Sequence, residues 1–339
     1  MIIFSIIFLY SSDYLKMDVY QLADVFEAFR ELALVQDGLD PVNFVSIPGL
    51  SWESAFKMTG TTVDLLQDSS MYEFFEAGIR GGMTFVNRHH LKRNCPEEGE
   101  YDASLPRVEL LYIDANNLYG HALSMSLPQR NFQWVEDAAE RHRWVEELPS
   151  MVVDGSTGFV AEVDFLIPDH IHDLLDDLPL APEKAKVKPS DLTPYMVDLL
   201  DGAKFHPTEK LLLSHLPKRH YVVHFALLQF YLKMGVIVEK VHRVITFEQA
   251  PYFRPYITFN SEERAKATTD FSKDFFKLKN NSLFGKTMEN DRGRMNMRLC
   301  QTAEKMLTYT SKPLFQSCKV FGPELVGVQL LKEEVSSVK

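Results

Sequence analysis

Cysteine is scarce in this sequence of 339 residues, which contains three of them, Cys95, Cys300 and Cys318. They are widely separated, and no pair has the C-x-x-C spacing, so neither a disulfide framework nor a structural zinc site is expected. Two histidine pairs, at 89–90 and at 170 and 172, lack an accompanying ligand pattern and predict surface or hydrogen-bonded side chains. This cysteine usage fits a reducing intracellular compartment and does not distinguish the nucleus from an organelle.

Long hydrophobic runs are lacking as well. Residues 1–10 (MIIFSIIFLY) are almost wholly apolar, but the stretch is too short to span a bilayer and no positively charged region precedes it. We therefore expect neither a transmembrane helix nor a signal peptide, and no membrane partner. A buried strand, or a misplaced gene start, is the simpler interpretation of this stretch.

An excess of positive charge is the third absence. The net charge is −11 and the isoelectric point about 5.5, which is not the balance of a typical nucleic-acid-binding protein. Whole-chain charge sets only the average field, however, whereas phosphate binding needs a local basic groove. Local basic clusters lie at 88–93, 218–220 and 277–298. Each is compatible with a phosphate-binding track and, taken alone, is also typical of a solvated surface.

Apolar residues are present in ample number. Hydrophobic residues make up 45% of the chain and aromatic residues 12%, which is enough for the core of one large α/β body or of two domains. Apolar periodicity predicts helices over 18–36, 51–58, 70–78, 208–216 and 260–289. Alternation predicts strands over 107–113, 158–166 and 236–247, and a strand followed by a helix over 220–235. Loops are expected at 81–82, 95–106 and, with short helices, 164–201.

Two of the predicted elements carry additional signals. The strands at 107–113 and 158–166 are similar in character, and we expect them to pair. The helix predicted over 260–289 begins at Asn260 and Glu263, which have the spacing of a capping box.

The segment YIDANNLYGHALS places Asp114 directly after the predicted strand at 107–113. A carboxylate at the end of a buried strand is held rigidly, and hard divalent cations prefer oxygen ligands in a fixed geometry. Asp114 as a cap of the following helix is the alternative. Tyr119, five residues further on, either packs below a bound ring or sugar or belongs to the core.

The segment KLKNNSLFGKTMEN carries a second pattern. Lys277, Asn281 and Gly285 are four residues apart and share one helix face, with Phe284 beside them and Lys273 one turn earlier. A nucleotide lying across such a face meets lysine at its phosphates, while glycine allows close approach of a base pair. A solvated basic helix explains the same residues without a ligand.

Together the two segments resemble motifs A and B of family B DNA polymerases. DANNLYG at 114–120 is similar to D-x-x-S-L-Y-P, and KLKNNSLFG at 277–285 is similar to K-x-x-x-N-S-x-x-G. The match is to the protein-primed branch of bacteriophages, linear plasmids, organellar elements and Polinton/Maverick transposons. The resemblance implies a DNA-directed DNA polymerase, that is, a nucleotidyltransferase of DNA replication encoded by a mobile element.

The resemblance implies a role for each matched residue. Asp114 binds the catalytic Mg²⁺ ions, of which the complete family site holds two, and the carbonyl of Ala115 completes that site. Tyr119 lies under the deoxyribose and excludes a 2′-hydroxyl. The remaining roles are those of the nucleotide-binding helix: Lys277 on the triphosphate, Lys273 as a second phosphate contact, Asn281 and Phe284 around the sugar and base, and Gly285 under the nascent pair.

The resemblance extends further, with departures. Tyr14 and Asp18 look like the last exonuclease motif, and IRGG at 79–82 looks like the linker motif Y-x-G-G, with Ile79 in place of its tyrosine. Asn117 stands at the motif A serine, and Gly120 at the following proline. The motif B tyrosine is replaced as well, by phenylalanine at 284.

Two absences bear on activity. The second catalytic aspartate motif, D-T-D-S, has no counterpart in the sequence, and neither have the first two exonuclease motifs. One carboxylate is a poor holder for two divalent ions about 4 Å apart. We therefore expect a fragment that neither extends a primer nor proofreads.

The fold implied is α+β: an antiparallel palm sheet carrying Asp114 and helical fingers carrying Lys277, incomplete at both ends. The expected divisions are 1–40 (end of an exonuclease domain), 41–106 (linker and palm-associated helices), 107–250 (palm with insertion), 251–300 (fingers) and 301–339 (partial return to the palm). Expected partners are template and primer DNA, dNTP and a priming protein. Alternatives are a non-catalytic DNA- or nucleotide-binding remnant, a 3′–5′ exonuclease remnant, and a product that does not fold.

Overall fold

The computed structural model describes residues 2–66, 68–86, 90–97, 101–290 and 295–331, with side chains from residue 11 onward. The chain forms two compact units, residues 1–283 and residues 284–339. Both combine helices with antiparallel strands, which confirms the α+β class. The five divisions expected from the resemblance remain a prediction.

The helices of the first unit are, in chain order, α1 (Ile2–Asp37), α2 (Ile47–Thr59), α3 (Ser69–Gly78), α4 (Leu118–Ser124), α5 (Ala138–Glu146), α6 (His172–Leu175), α7 (Pro194–Leu199), α8 (Phe225–Lys233), α9 (Arg254–Lys266) and α10 (Asp270–Thr287), the last of which continues past the unit boundary. Its strands are β1 (Leu127–Trp134), β2 (Thr157–Leu166), β3 (Glu183–Lys186), β4 (Glu209–Leu212), β5 (Lys218–His224) and β6 (Ile237–Ala250).

The main sheet has the strand order β1-β6-β2-β5, with antiparallel pairing throughout. β2 is central and buried along eight consecutive residues. Its side chains alternate between the two faces, so Phe159, Ala161, Val163 and Phe165 enter the main core. On the other face Val160 joins a smaller cluster with Phe74 of α3. The predicted strands at 158–166 and 236–247, and the strand-helix pair at 220–235, are confirmed.

The predicted strand at 107–113 is wrong. Val108 forms an isolated bridge with Asn94, and the segment that follows it to Ala115 has no regular secondary structure. Tyr112 is 94% exposed and Ile113 75%. A strand needs hydrogen-bonding neighbours, and its expected partner β2 is already flanked on both sides by β5 and β6. The apolar pattern of 107–113 contains no information that both edges of β2 are already paired with other strands.

Other elements differ from their prediction too. The helix predicted at 208–216 is strand β4, paired with β3, so tertiary pairing overrides local propensity. The stretch at 1–10 was expected as a strand, but α1 begins at Ile2. The predicted helices over 18–36, 51–58 and 70–78 lie within α1, α2 and α3 and are confirmed.

The helix predicted from Asn260 to 289 is two helices, α9 and α10. The backbone becomes extended at Ala267, where α9 ends. At the start of α10, the Thr269 hydroxyl accepts a hydrogen bond from the Ser272 amide at 3.2 Å. The capping signal thus lies at Thr269, and the expected capping box at Asn260 and Glu263 is wrong because Asn260 is buried within α9.

The second unit contains β7 (Asn296–Cys300), α11 (Ala303–Thr310), β8 (Phe315–Gly322) and β9 (Leu325–Leu330). Its sheet has the order β7-β9-β8 and is antiparallel. Cys300, Val328 and Leu330 form its small core.

Across the described ranges of both units, no helix has the length and apolar character needed to cross a membrane.

Candidate nucleotide-binding site

One face of α10 is anchored in the interior of the first unit. Phe275, Phe276 and Leu283 are buried, and the rings of Phe275 and Phe29 of α1 meet edge to face with centroids 5.6 Å apart. Their spacing of seven to eight residues along the helix places them on one side, as 3.6 residues per turn requires. This anchoring fixes which residues of α10 are left on the outside.

The outer face of α10 carries three of the predicted residues. Lys273 and Lys277 are exposed, and Asn281 is half-buried one turn further on. Lys273 Nζ lies 3.3 Å from Asp270 Oδ1, an exposed ion pair that contributes little and exchanges easily for a phosphate. The three residues therefore lie on the outer face of α10, as their spacing predicted.

Phe284 and Gly285 lie in the last turn of α10, within the second unit. Phe284 is half-buried and Gly285 is exposed. A Cβ added at Gly285 would meet no atom within 4 Å, so the surface above this glycine is open. That is the condition under which a base pair could approach the backbone closely.

A buried lysine of α10 forms an ion pair in the interior of the first unit. Lys279 Nζ lies 2.6 Å from Asp37 Oδ1, and both side chains are 1% exposed. The Ser54 hydroxyl donates to the same oxygen at 2.8 Å. Burial lowers the pKa of Lys279, and the charge of Asp37 opposes that effect. The pair ties α10 to the carboxyl end of α1 and to α2.

A buried amide pair joins α9 to α10. Asn260 Nδ2 donates to Asn280 Oδ1 at 3.0 Å, and both side chains are buried. Beside them, Ser261 Oγ donates to the Ile257 carbonyl and lies 3.5 Å from Asn280 Nδ2. The Asn117 amide lies 3.5 Å from the same hydroxyl. Ser261 therefore links the segment around Asp114 to the helix that carries Lys277.

The segment around Asp114 is exposed. Asp114 and Ala115 lie in the irregular chain before α4, and Tyr119, in the first turn of α4, is 49% exposed. Asn117 precedes α4 with φ of 53°, a left-handed conformation that asparagine tolerates better than most residues. No side-chain cap bond forms at Asn117. Asp114 is thus not held at the end of a strand as predicted.

The two-ion Mg²⁺ site is not assembled around Asp114. Within the described ranges, two groups of three or more metal-ligand side chains come together: Asp164, His220 and His242, and a second group of Cys95, Glu97 and Glu109. Asp114 belongs to neither, and two Mg²⁺ ions require more than one carboxylate. The residues present do not fit the expected metal pair, so Asp114 by itself supports no metal-dependent step.

Of the three predicted basic clusters, only the one at 218–220 lies wholly within the described residues. At 218–220, Lys218 is fully buried and bonded to Glu183 (2.5 Å), and Arg219 is bonded to Glu239 (2.5 Å). His220 Nδ1 lies 2.9 Å from Glu162. Each group of this cluster faces a carboxylate, so it forms no phosphate track. The clusters at 88–93 and 277–298 fall in part outside the described residues.

Three further predictions can be placed. Tyr14 and Asp18 lie on α1 and are exposed. In the linker segment, Arg80 donates to the Val222 carbonyl at 2.7 Å and its guanidinium stacks 3.7 Å from the Tyr221 ring centre. His172 Nε2 lies 2.9 Å from the Ile167 carbonyl, which confirms a hydrogen-bonded histidine.

Sequence reasoning missed Lys279 and Ser261. Lys279 lies four residues from both Phe275 and Leu283, so helix periodicity places it on the buried face, where a lysine needs an acidic partner. That signal was available, although the identity of the partner, Asp37, was not. Ser261 gave no signal, because its role depends on which segments pack around α9.

Comparison with known proteins gives limited similarity. No family model and no curated protein matches the sequence. Three solved structures of phi29 DNA polymerase are similar at 14% identity: the orthorhombic crystal form (TM-score 0.43; 77% of this chain, 39% of that one), the ternary complex with primer-template DNA and incoming nucleotide substrates (0.45; 80% and 40%), and the post-translocation binary complex with primer-template DNA (0.46; 90% and 42%). This chain spans about two fifths of the length of those polymerase chains.

Proposed function

We propose that this chain carries the nucleotide-binding part of a DNA-directed DNA polymerase site of family B, with DNA and dNTP as its ligands. Lys277 and Lys273 meet the triphosphate, and Asn281 lies beside the sugar and base. Tyr119 contacts the deoxyribose, and Phe284 and Gly285 face the nascent pair. Asp114 and Ala115 stand at the positions where the motif resemblance expects metal ligands in a complete family site, and the proposal assigns them no metal-dependent step on this chain.

The observation that carries this proposal is the hydroxyl of Ser261. It lies 3.5 Å from Asn117 of the first motif and 3.5 Å from Asn280 of the second. The two segments are more than 150 residues apart in the sequence, and the motif resemblance requires that they serve one substrate. This shared polar neighbour supports that requirement independently of the sequence of either motif.

The chemistry of α10 agrees with a phosphate ligand. Phosphoryl transfer needs positioning and neutralisation of charge more than covalent help from the protein. Lysine supplies that charge as a point donor, and the rigid anchoring of α10 through Phe275, Phe276 and Lys279 holds it in place.

A second candidate is DNA and nucleotide binding without turnover. It is favoured by the exposed position of Asp114, which belongs to no group of three or more metal-ligand side chains among the described residues. In this case the α10 face functions, while the phosphoryl-transfer step does not occur on this chain by itself.

Equilibrium binding of labelled dNTP to the full chain on primer–template DNA tests the proposal. Lys277→Ala should weaken dNTP binding about 10- to 100-fold, because a hydrogen bond to a charged group contributes about 1.5–3 kcal/mol. Lys305→Ala, which removes an exposed lysine from α11, should leave the affinity unchanged. Equal affinity of the wild type and Lys277→Ala would contradict the proposal.

Primer extension with Mg²⁺ separates the two candidates. We expect the chain alone to bind without extending the primer. Synthesis that Asp114→Asn abolishes would instead establish an active polymerase and exclude the binding-only function.

A further inference from the structure

Three side chains of metal-ligand type converge on one face of the main sheet. Asp164 is carried by β2, His220 by β5 and His242 by β6, and these are three adjacent strands. One donor atom from each lies within 4.8 Å of the other two. None of them belongs to α10 or to the segment around Asp114, so this cluster is independent of the proposed nucleotide site.

The sheet is irregular where the cluster forms. The pairing of β2 with β6 shifts register between Asp164 and Phe165, and the pairing of β2 with β5 shifts between Val163 and Phe165. Bulges of this kind re-aim side chains and are frequent beside functional sites. His220 has φ of 50°, a strained conformation for a residue with a side chain.

The contacts within the cluster are short. His242 Nε2 lies 2.8 Å from Asp164 Oδ1, and the His220 backbone amide donates to the same oxygen at 2.8 Å. The rings of His220 and His242 stack with centroids 4.0 Å apart. Asp164 and His242 side chains are each 13% exposed, whereas that of His220 is 65% exposed. Asp164 and His242 therefore form the mostly buried side of the cluster, and His220 forms its solvent-exposed side.

Glu162 supports the exposed histidine. Its Oε1 lies 2.9 Å from His220 Nδ1, and its Oε2 accepts a hydrogen bond from Arg243 Nε at 2.6 Å. A carboxylate on one ring nitrogen orients a histidine and leaves the other nitrogen for a metal, as in carboxylate–histidine–zinc arrangements. Glu162 thus holds His220 in the way that an outer partner holds a metal ligand.

The charge balance also suits a cation. Glu162, Asp164 and Glu239 contribute three carboxylates to this patch, and Arg219 and Arg243 contribute two guanidinium groups. One negative charge remains when both imidazoles are neutral, the form in which they bind metal.

We propose that Asp164, His220 and His242 form a binding site for a divalent transition metal, with Zn²⁺ as the metal to test. Imidazole and carboxylate ligands suit Zn²⁺, whereas Mg²⁺ favours oxygen ligands alone. With bonds of about 2.0 Å, tetrahedral ligands are about 3.3 Å apart. Side-chain rotation therefore has to widen the 2.8 Å separation of His242 and Asp164 slightly and bring the remaining donor atoms, all within 4.8 Å, to that spacing. Any proton that His242 Nε2 carries is released to solvent when the metal binds, and water fills the fourth position.

Calorimetric titration of Zn²⁺ into the chelator-treated full chain tests the site. We expect one tightly bound ion, and a loss of affinity of about 10-fold or more in His220→Asn. Asparagine tolerates the left-handed backbone at this position, and the side chain is exposed, so the variant should fold. His142→Ala, at an exposed histidine of α5, should bind as the wild type does.

A second measurement keeps the test decisive. Zn²⁺ should raise the thermal unfolding temperature of the wild type and of His142→Ala, and should not raise that of His220→Asn. X-ray absorption should show nitrogen and oxygen ligands at about 2.0 Å. Wild-type protein that takes up no Zn²⁺, an affinity that His220→Asn retains, or Mg²⁺ that competes equally would each overturn the proposal.

Discussion

Lys279 is a charged side chain that stabilises α10 from within the first unit. Its ammonium and the carboxylate of Asp37 are both about as buried as any apolar residue of the core, at 1% exposure. A buried pair of this kind adds little net stability, since desolvation offsets the attraction. Removing one partner is a different matter, because the remaining charge is then buried without compensation.

We expect Asp37→Ala to lower the free energy of unfolding by about 3–5 kcal/mol, because it leaves the Lys279 ammonium without its partner. Urea unfolding followed by circular dichroism measures this change. The double variant Asp37→Ala/Lys279→Met should recover most of the loss, since it removes both charges.

The matched control lies on the same helix. Asp13 pairs with Lys16 at 3.1 Å, but both side chains are largely exposed, at 74% and 62%. Asp13→Ala should therefore change the free energy of unfolding by less than about 0.5 kcal/mol. If Asp37→Ala is no more destabilising than Asp13→Ala, the buried pair does not anchor α10.

At the scale of elements, the junction between β5 and α8 depends on one histidine. β5 ends at His224, which is the N-cap of α8 and whose Nδ1 accepts a hydrogen bond from the Ala226 amide at 3.3 Å. Accepting this bond requires an unprotonated Nδ1. Burial lowers the pKa of His224 to about 4, below its ordinary value of 6.5. The helix cap is therefore built on a neutral imidazole.

The sign of the pH effect follows from these two values. Between pH 6.5 and about 4 the unfolded chain binds a proton at His224 and the folded chain does not. The free energy of unfolding should therefore fall as the pH is lowered through this window, by roughly 2–3 kcal/mol from this residue. Urea unfolding at a series of pH values measures the slope.

His224→Asn isolates this contribution. Asparagine is a good helix N-cap and does not titrate, so the variant should lose stability less steeply than the wild type between pH 6.5 and 4. Carboxylates such as Asp40, whose pKa is lowered to about 2 by the Arg30 side chain, contribute equally to both proteins. Parallel pH profiles would show that His224 does not titrate in this way.

At the scale of the whole molecule, the negative net charge opposes the proposed binding of DNA and dNTP. The net charge of −11 repels DNA and dNTP, so the binding proposed above depends on the local field of α10. Lys273 and Lys277 stand on its exposed face, whereas Lys218 is bonded to an acidic partner and buried.

We expect the affinity of the protein–DNA complex for labelled dNTP to fall with salt, because screening weakens the attraction between the two lysines and the triphosphate. The double variant Lys273→Ala/Lys277→Ala should make log K less dependent on log salt concentration, that is, give a shallower slope. Fluorescence anisotropy over a salt series measures this slope. Lys204→Ala/Lys305→Ala removes the same charge from exposed positions elsewhere and should leave the slope unchanged. Equal slopes in the two double variants would mean that α10 does not contact the phosphates.

Much of the architecture could be predicted because it depends on local periodicity. The strands at 158–166 and 236–247, and the helices over 18–36 and 51–58, repeat apolar residues with the period of their element. The strip of Lys273, Lys277 and Asn281 could be placed for the same reason, since a spacing of four residues defines a helix face wherever the helix packs.

The sequence alone determined which residues share a face, and it carried the two polymerase-like motifs in order. Only the tertiary structure decided which partners those faces meet. It left the segment before Asp114 without a neighbouring strand, because β5 and β6 occupy both edges of β2. It also joined Lys279 to Asp37 and brought Asp164, His220 and His242 together from three strands. Such contacts join distant parts of the chain, and local spacing contains no information about them.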